Sequence, residues 1–256
     1  MSLGSWIRSG WTLVLATVAT FGIVFLWALR YPFLHRHWEK RLRWRDFILR
    51  NWGRMLLRIL RVQVVQQGHP PAGGGFLISN HLSYIDILLL GASGGGSFVA
   101  KSEIESWPIF GRLCRVGEVI FVRRNLKRDI PRVIDEIRRR LEIASTILVF
   151  PEGTSTGGDA VAPFRPSLLA PAAEGDIPVH WAAISYHTEP DDPPAKEVVC
   201  WWGGMGFGPH ILRLMGLRRF QARIEFGSEP ILDHDRKRLA GKLEQAVGTA
   251  FQALRQ

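Results

Sequence analysis

Phe76-Leu77-Ile78-Ser79-Asn80-His81-Leu82-Ser83-Tyr84-Ile85-Asp86 runs from a short apolar strand, Phe76 to Ser79, into a helix over Ser83 to Leu90. An unbroken apolar run is the pattern of a buried strand, and the helical spacing directly after it marks an α/β unit. His81 falls in the turn between the two, where α/β proteins commonly place chemistry. On one continuous helix His81 and Asp86 would lie about 140° apart and could not meet. They meet only if His81 precedes the helix. With Ser83 as N-cap, the helix starts there and Asp86 sits at N3, its carboxylate turned back toward the imidazole. A carboxylate so placed can fix the ring's tautomer and support positive charge on it. Ser83-Tyr84-Ile85-Asp86 is also a capping box with Asp in the Glu position, so these residues alone leave a purely structural use equally open.

The alternation continues along the chain. Further strands are predicted at Val62 to Gln67, Ser97 to Ala100, Glu118 to Val122, Thr146 to Phe150, Val179 to Tyr186, Val198 to Trp202 and Gln221 to Phe226. Further helices are predicted over Ile130 to Glu142, near Ser167 to Ala173 and over Arg236 to Leu254. The class is therefore α/β, with a central, mostly buried sheet flanked by helices. Glu189 to Pro194 and Gly203 to Gly208 read as surface loops, and residues 62–256 as one soluble domain.

Ahead of that domain, Trp11 to Leu29 gives 19 consecutive residues without a formal charge, bounded by Arg8 and Arg30. About 20 apolar residues span a bilayer, and Trp6, Trp11, Trp27 and Tyr31 stand where interfacial anchors belong. The run is longer than a signal-peptide core and has no small-residue cleavage site, so residues 1–31 read as a retained transmembrane anchor. From Arg30 to Arg61 there are ten basic residues against Glu39 and Asp46, much of the chain's net charge of +10. Charge clustered at one end of a membrane segment places the chain beyond Arg30 on the cytoplasmic side and attracts anionic headgroups. Trp38, Leu42, Phe47, Ile48, Trp52, Met55, Leu56, Ile59 and Leu60 recur at helical spacing, so residues 32–61 read as a basic amphipathic helix. No nucleic-acid motif accompanies the charge. Cys114 and Cys200 form no metal-ligand pattern, so neither a zinc site nor a disulfide framework is expected.

Asn80-His81-Leu82-Ser83-Tyr84-Ile85-Asp86 resembles the N-H-x-S-x-x-D motif of the glycerolipid acyltransferase family, the lysophosphatidic acid acyltransferases and their relatives. Three further blocks come after it in the family's order. Lys101-Ser102-Glu103, Pro108, Gly111 and Gly117 to Arg124 resemble the second, Phe150-Pro151-Glu152-Gly153-Thr154 the third, and Ile177-Pro178-Val179 the start of the fourth. The fourth departs at His180 and Trp181, where the family usually has Val and Pro. The resemblance implies transfer of a fatty acyl group from an acyl-CoA or acyl carrier protein thioester to a lysolipid hydroxyl, without metal or other cofactor. His81 is then the general base, Asp86 its partner, and Asn80, Ser83 and Lys101 supporting residues.

Glu152, Gly153 and Thr154 are implied to bind the acceptor. Arg124 is a candidate phosphate ligand, with Arg123 the other possibility, because a planar guanidinium can hold phosphate oxygens in pairs. Ser155 occupies the place where an arginine often follows F-P-E-G-T, and Arg165, in Pro163-Phe164-Arg165, is the candidate replacement. The acceptor implied is 1-acyl-sn-glycerol-3-phosphate, with lyso-ornithine lipid as the alternative, since G-T-S-T-G-G-D also resembles relatives acting on that lipid. Gly153 to Gly157 fits G-x-S-x-G, the serine-esterase elbow, but that elbow needs a helix directly after it and residues 158–163 read as loop. Gly95 to Ser102 approaches a Walker A loop but has Ala100 where glycine is required.

Overall fold

The computed structural model describes residues 2–106, 110–123 and 129–252. Two helices come first, α1 (Leu3–Leu34) and α2 (Trp38–Ile59). Strands β1 (Val62–Gln67) and β2 (Gly75–Ser79) lead to α3 (Ile85–Gly94) and β3 (Ser97–Lys101). After a 3-10 turn, Ser102–Ser106, come α4 (Phe110–Val116), β4 (Ile120–Val122), α5 (Ile130–Glu142) and β5 (Thr146–Val149). The chain continues through α6 (Pro166–Glu174), β6 (Val179–Thr188), α7 (Ala195–Val198), α8 (Phe207–Met215), β7 (Phe220–Phe226) and α9 (Arg236–Ala250).

Among the described residues the strands form one seven-stranded sheet in the order β1-β7-β6-β2-β5-β3-β4. Strand β2 lies at its centre, parallel to both β5 and β6. Side chains alternate across a strand, so Leu77 packs on one face of the sheet and Phe76 and Ile78 on the other. The Leu77 face carries α2, α3 and α8, with Ala16 and Ala19 of α1 against it; the Phe76 face carries α5, α6 and α9. Both faces are covered, which is why the central strands read as continuous apolar runs.

Helix α1 is long and apolar enough to cross a membrane, and Trp11, Val18, Phe21 and Phe25 on it are exposed. Several of its polar side chains, Arg8, Ser9, Thr12 and Thr20, face the protein, whereas Thr17 is exposed. Ser9 Oγ donates to the Leu212 carbonyl at 2.8 Å, Arg8 Nε to the Gly216 carbonyl at 3.0 Å, and Thr20 Oγ1 accepts Trp52 Nε1 at 3.1 Å. One helix thus carries an exposed, largely apolar face and a polar seam against the protein.

Helix α2 is clamped to the sheet by Arg45, which is 1% exposed. Its guanidinium reaches the Gly96 and Gly117 carbonyls at 2.9 and 3.0 Å, the Ser97 hydroxyl at 2.7 Å and the Asp46 carboxylate at 3.0 Å. A charge that deep is tolerated only when it is paired and hydrogen-bonded.

Several sequence expectations are corrected. Ser83 does not cap α3: its Oγ is buried without a partner, Tyr84 holds the N-cap position, and Asp86 stands second in the helix rather than third. Asp86 itself collects the Leu82 and Ser83 amides, closing the turn before helical geometry begins. The strand expected from Glu118 starts at Ile120, because Glu118 is in the left-handed region with φ +49°. Val198 to Trp202 is not a strand. Its apolar residues are the end of α7 and a buried plug, with the Val199 and Cys200 amides both donating to the Ala195 carbonyl. The loop expected over Gly203 to Gly208 already enters α8 at Phe207. Helix α9 ends at Ala250, and Phe251 is extended; Leu254 lies outside the described residues.

Arg45→Ala strands Asp46 and two carbonyl groups in the interior. Breaking a buried pair in this way costs about 3 kcal/mol or more, and chemical denaturation in detergent is expected to register a loss of that size.

Candidate active site

The turn between β2 and α3 is built around one carboxylate. Asp86 is fully buried, and its Oδ2 accepts from His81 Nδ1 at 2.7 Å, Leu82 N at 2.7 Å and Ser83 N at 2.9 Å. Its Oδ1 accepts the Tyr186 hydroxyl of β6 at 2.6 Å. A carboxylate only accepts, so the proton on His81 sits at Nδ1 and Nε2 carries the free lone pair. The imidazole is held flat by Phe150, stacked at 4.0 Å between ring centres, and 20% of the side chain remains open.

Asn80 clasps β6 by its side chain, donating to the Ile184 carbonyl at 2.9 Å and accepting the Ile184 amide at 2.7 Å. The clasp continues the sheet's hydrogen bonding one residue beyond β2 and fixes where His81 leaves it.

The Phe150-to-Thr156 segment is laced to the backbone of His81. Glu152 Oε1 accepts the His81 amide at 2.8 Å, and the His81 carbonyl accepts the Thr156 amide at 2.9 Å. Between them Gly153, at φ +75°, makes a turn that a side chain would strain. Thr154 is exposed at its tip. Arg165 joins the cluster, its amide donating to the Pro151 carbonyl and its Nε to the Glu152 carbonyl at 3.1 Å, with the guanidinium exposed. His81, Asp86, Glu152, Gly153, Thr154 and Arg165 therefore come together, with Asn80 and Ser83 beneath them. Arg124 and Pro108 lie outside the described residues, as does the side chain of Lys101. The backbone of Arg123 donates to Asp129 at 2.9 Å and its side chain is exposed.

Ser155 donates its hydroxyl to the Trp201 carbonyl. No helix comes after it before Pro166, so the strand–turn–helix that a nucleophile elbow requires is missing. In the fourth block, Trp181 takes the space that Gly227 leaves open; a Cβ there would lie 2.1 Å from the indole. Sequence reasoning missed Tyr186 and gave Phe150 no role of its own. The signal for Tyr186 was a hydroxyl at the inward end of Ala182-Ile184-Tyr186, since a buried phenol needs a partner.

This is an α/β fold with a His–Asp pair, the aspartate fully buried, at the carboxyl end of its central strand. Comparison with known proteins narrows the class. Residues 61–185 match the family described as Acyltransferase. The chain is 32% identical over 215 residues to a lyso-ornithine lipid O-acyltransferase of Rhizobium meliloti (strain 1021), covering 80% of this chain and 73% of that protein. It is 26% identical over 181 residues to a 1-acyl-sn-glycerol-3-phosphate acyltransferase of Neisseria meningitidis serogroup B, covering 70% and 69%. Its fold is similar to the crystal structure of the 1-acyl-sn-glycerophosphate acyltransferase of Thermotoga maritima, with a TM-score of 0.67, 20% identity, and coverage of 98% and 97%. The chain belongs to the acyltransferase family and is an acyltransferase, as its four ordered motifs implied.

Burial pushes the Glu152 carboxyl from 4.5 up to about 7, opposed by the His81 amide and reinforced by the Asp86 charge. The folded chain therefore holds this proton more tightly than the unfolded one, and the group's stabilising share is full below 4.5 and lost as pH rises through about 7. Glu152→Gln keeps an acceptor for the His81 amide and removes the ionisation. Thermal denaturation across that window is expected to find the variant gaining on the parent as pH rises; a constant offset would count against it.

Proposed function

We propose that the protein moves a fatty acyl group from an acyl-CoA or acyl carrier protein thioester to the hydroxyl of a lysolipid, with His81 as general base. The observation that carries this is the 2.7 Å contact from His81 Nδ1 to the buried Asp86. With Nδ1–H engaged, Nε2 takes the proton of the acceptor hydroxyl as its oxygen attacks the thioester carbonyl. The resulting imidazolium is stabilised by Asp86. Collapse of the tetrahedral adduct breaks the carbon–sulfur bond, and the imidazolium returns its proton to the departing thiolate, so no covalent acyl-enzyme and no metal is required.

Arg165 is the residue proposed to meet the acceptor headgroup, with Glu152, Gly153 and Thr154 shaping its approach and Arg124 and Lys101 as further basic candidates. Of the two acceptors considered, we favour lyso-ornithine lipid. The Rhizobium relative that acts on it is 32% identical, against 26% for the Neisseria enzyme acting on 1-acyl-sn-glycerol-3-phosphate. Ser155, bonded to the Trp201 carbonyl, also supplies no cation where a phosphate acceptor would use an arginine. In the cell, α1 is proposed to hold the enzyme on the membrane with the sheet domain on the cytoplasmic side, as the basic stretch after Arg30 supports.

Removing the base tests the reaction. His81→Ala is expected to lower kcat by at least about a hundredfold, the lower end for a general base, whereas Ser155→Ala keeps most activity. The reverse pattern, or a trapped acyl-serine, would favour an esterase. Acceptor choice is tested by offering purified enzyme both lysolipids in competition, with each thioester donor, and resolving products by mass. Preferential acylation of lyso-ornithine lipid is expected; preference for the phosphate lipid would reverse the assignment while leaving the base intact.

A further inference from the structure

A cleft of about 800 Å³ opens between α2, α3 and the turn from His69 to Gly74, well away from His81. The turn leads into the amino end of β2, whereas His81 lies beyond its carboxyl end, so the five residues of β2 separate the two sites, roughly 17 Å at the usual rise per residue. One wall is Arg50, Arg54 and Arg58, which fall on one side of α2 because each is four residues from the next. His69 stands across from them, Leu57 and Leu89 lie beneath, and no aspartate or glutamate lines the cleft among the described residues.

The arginines are only partly engaged by the protein. Arg54 Nε donates to the Ala92 carbonyl at 3.1 Å and Arg50 reaches the Gly94 carbonyl at 3.4 Å. Arg50 Nε is buried with no acceptor, and the exposed Arg58 guanidinium has no hydrogen bond or ion pair with the described residues. Asp46, the acidic neighbour of Arg50, is already held by Arg45 and the Gly96 amide. Three cations, an unused buried donor and an apolar floor describe a site for an anion attached to something apolar.

Its place in the fold selects the source of that anion. Leu57 and Leu89 belong to the apolar layer against which Ala16 and Ala19 of α1 pack, so the cleft is on the face of the sheet that carries the membrane helix. We propose that it binds the phosphate headgroup of an anionic phospholipid of the host bilayer, fixing the basic edge of α2 at headgroup level. Free phosphate offers the same oxygens but nothing for the apolar floor, and the two are separable by experiment.

The test titrates the full chain, purified in detergent, with phosphatidylglycerol or phosphatidylcholine in mixed micelles and counts retained lipid by native mass spectrometry. Retention of phosphatidylglycerol in preference to phosphatidylcholine is expected. The Arg58 guanidinium makes no bond to the described residues, so Arg58→Gln spares the fold and is expected to weaken retention about fivefold, with Arg58→Glu weakening it about thirtyfold, at the usual contribution per basic residue. Acyl-transfer rates in detergent should not change. Equal retention of both lipids, unchanged retention in Arg58→Glu, or displacement by inorganic phosphate at equal concentration would each overturn the proposal.

Discussion

One buried carboxylate organises the centre of the molecule. Asp86 takes four donors, from the His81 ring, the Leu82 and Ser83 amides and the Tyr186 hydroxyl, and together they meet three structural requirements. The bond to the ring sets its tautomer, the amides close the turn that starts α3, and the phenol ties that turn to β6. A carboxylate removed from water is costly unless its oxygens are satisfied, so the fold cannot hold Asp86 in place without also holding His81. Packing and chemistry are here a single constraint.

Burial also explains which elements the sequence disclosed. Strands β2, β5 and β6 were legible because helices cover both faces of a mostly parallel sheet, leaving Phe76-Leu77-Ile78 and Ile147-Leu148-Val149 as unbroken apolar runs. That signal is burial, not extension, and it misleads where burial occurs without a strand. Val198, Val199 and Cys200 are buried, yet they end a short helix and plug the space beside the active-site turn, where the Trp201 amide donates to the Leu82 carbonyl. Helix α8 was hidden for the converse reason: Gly203, Gly204, Gly206 and Gly208 suggest a loop, but the helix begins among them at Phe207. In the site, local geometry made a His81–Asp86 pairing possible, though through a Ser83 cap that the structure replaces, whereas Tyr186 lies 100 residues from Asp86 and only the sheet brings them together.

Charge was the least transparent feature. Ten basic residues between Arg30 and Arg61 suggest a solvated, membrane-facing surface, but the fold uses many of them internally. Arg45 is buried, Arg41 pairs with Glu118 at 2.8 Å, and Arg61 donates to the Met215 carbonyl at 2.8 Å and to Thr12 at 3.0 Å. Arginine suits this work because its stem packs on apolar surface while its fork reaches several acceptors. Helix α2 is thus a clamp between α1 and the sheet, and only part of its charge, Arg58 above all, is left to face outward. Counting charges along a sequence overstates the field a membrane would meet.

The segment from Phe150 to Thr156 shows the same sharing of structural and chemical roles. It touches His81 three times, through the stacked Phe150 ring, the Glu152 carboxylate on the amide, and the Thr156 amide on the carbonyl. It is also joined to Arg165 through the Glu152 and Pro151 carbonyls. Arg165, the proposed headgroup contact, is thereby tied to the loop that packs against the proposed base, through covalent and hydrogen-bonded paths only a few atoms long. Ser155, anchored to Trp201, adds a third support in place of a charge. Where an arginine at that position would extend the loop's reach toward phosphate, the serine draws the loop back against the protein. The residue at position 155 can differ without disturbing the His–Asp pair, because the pair depends on Asp86 and its donors and not on the tip of the loop.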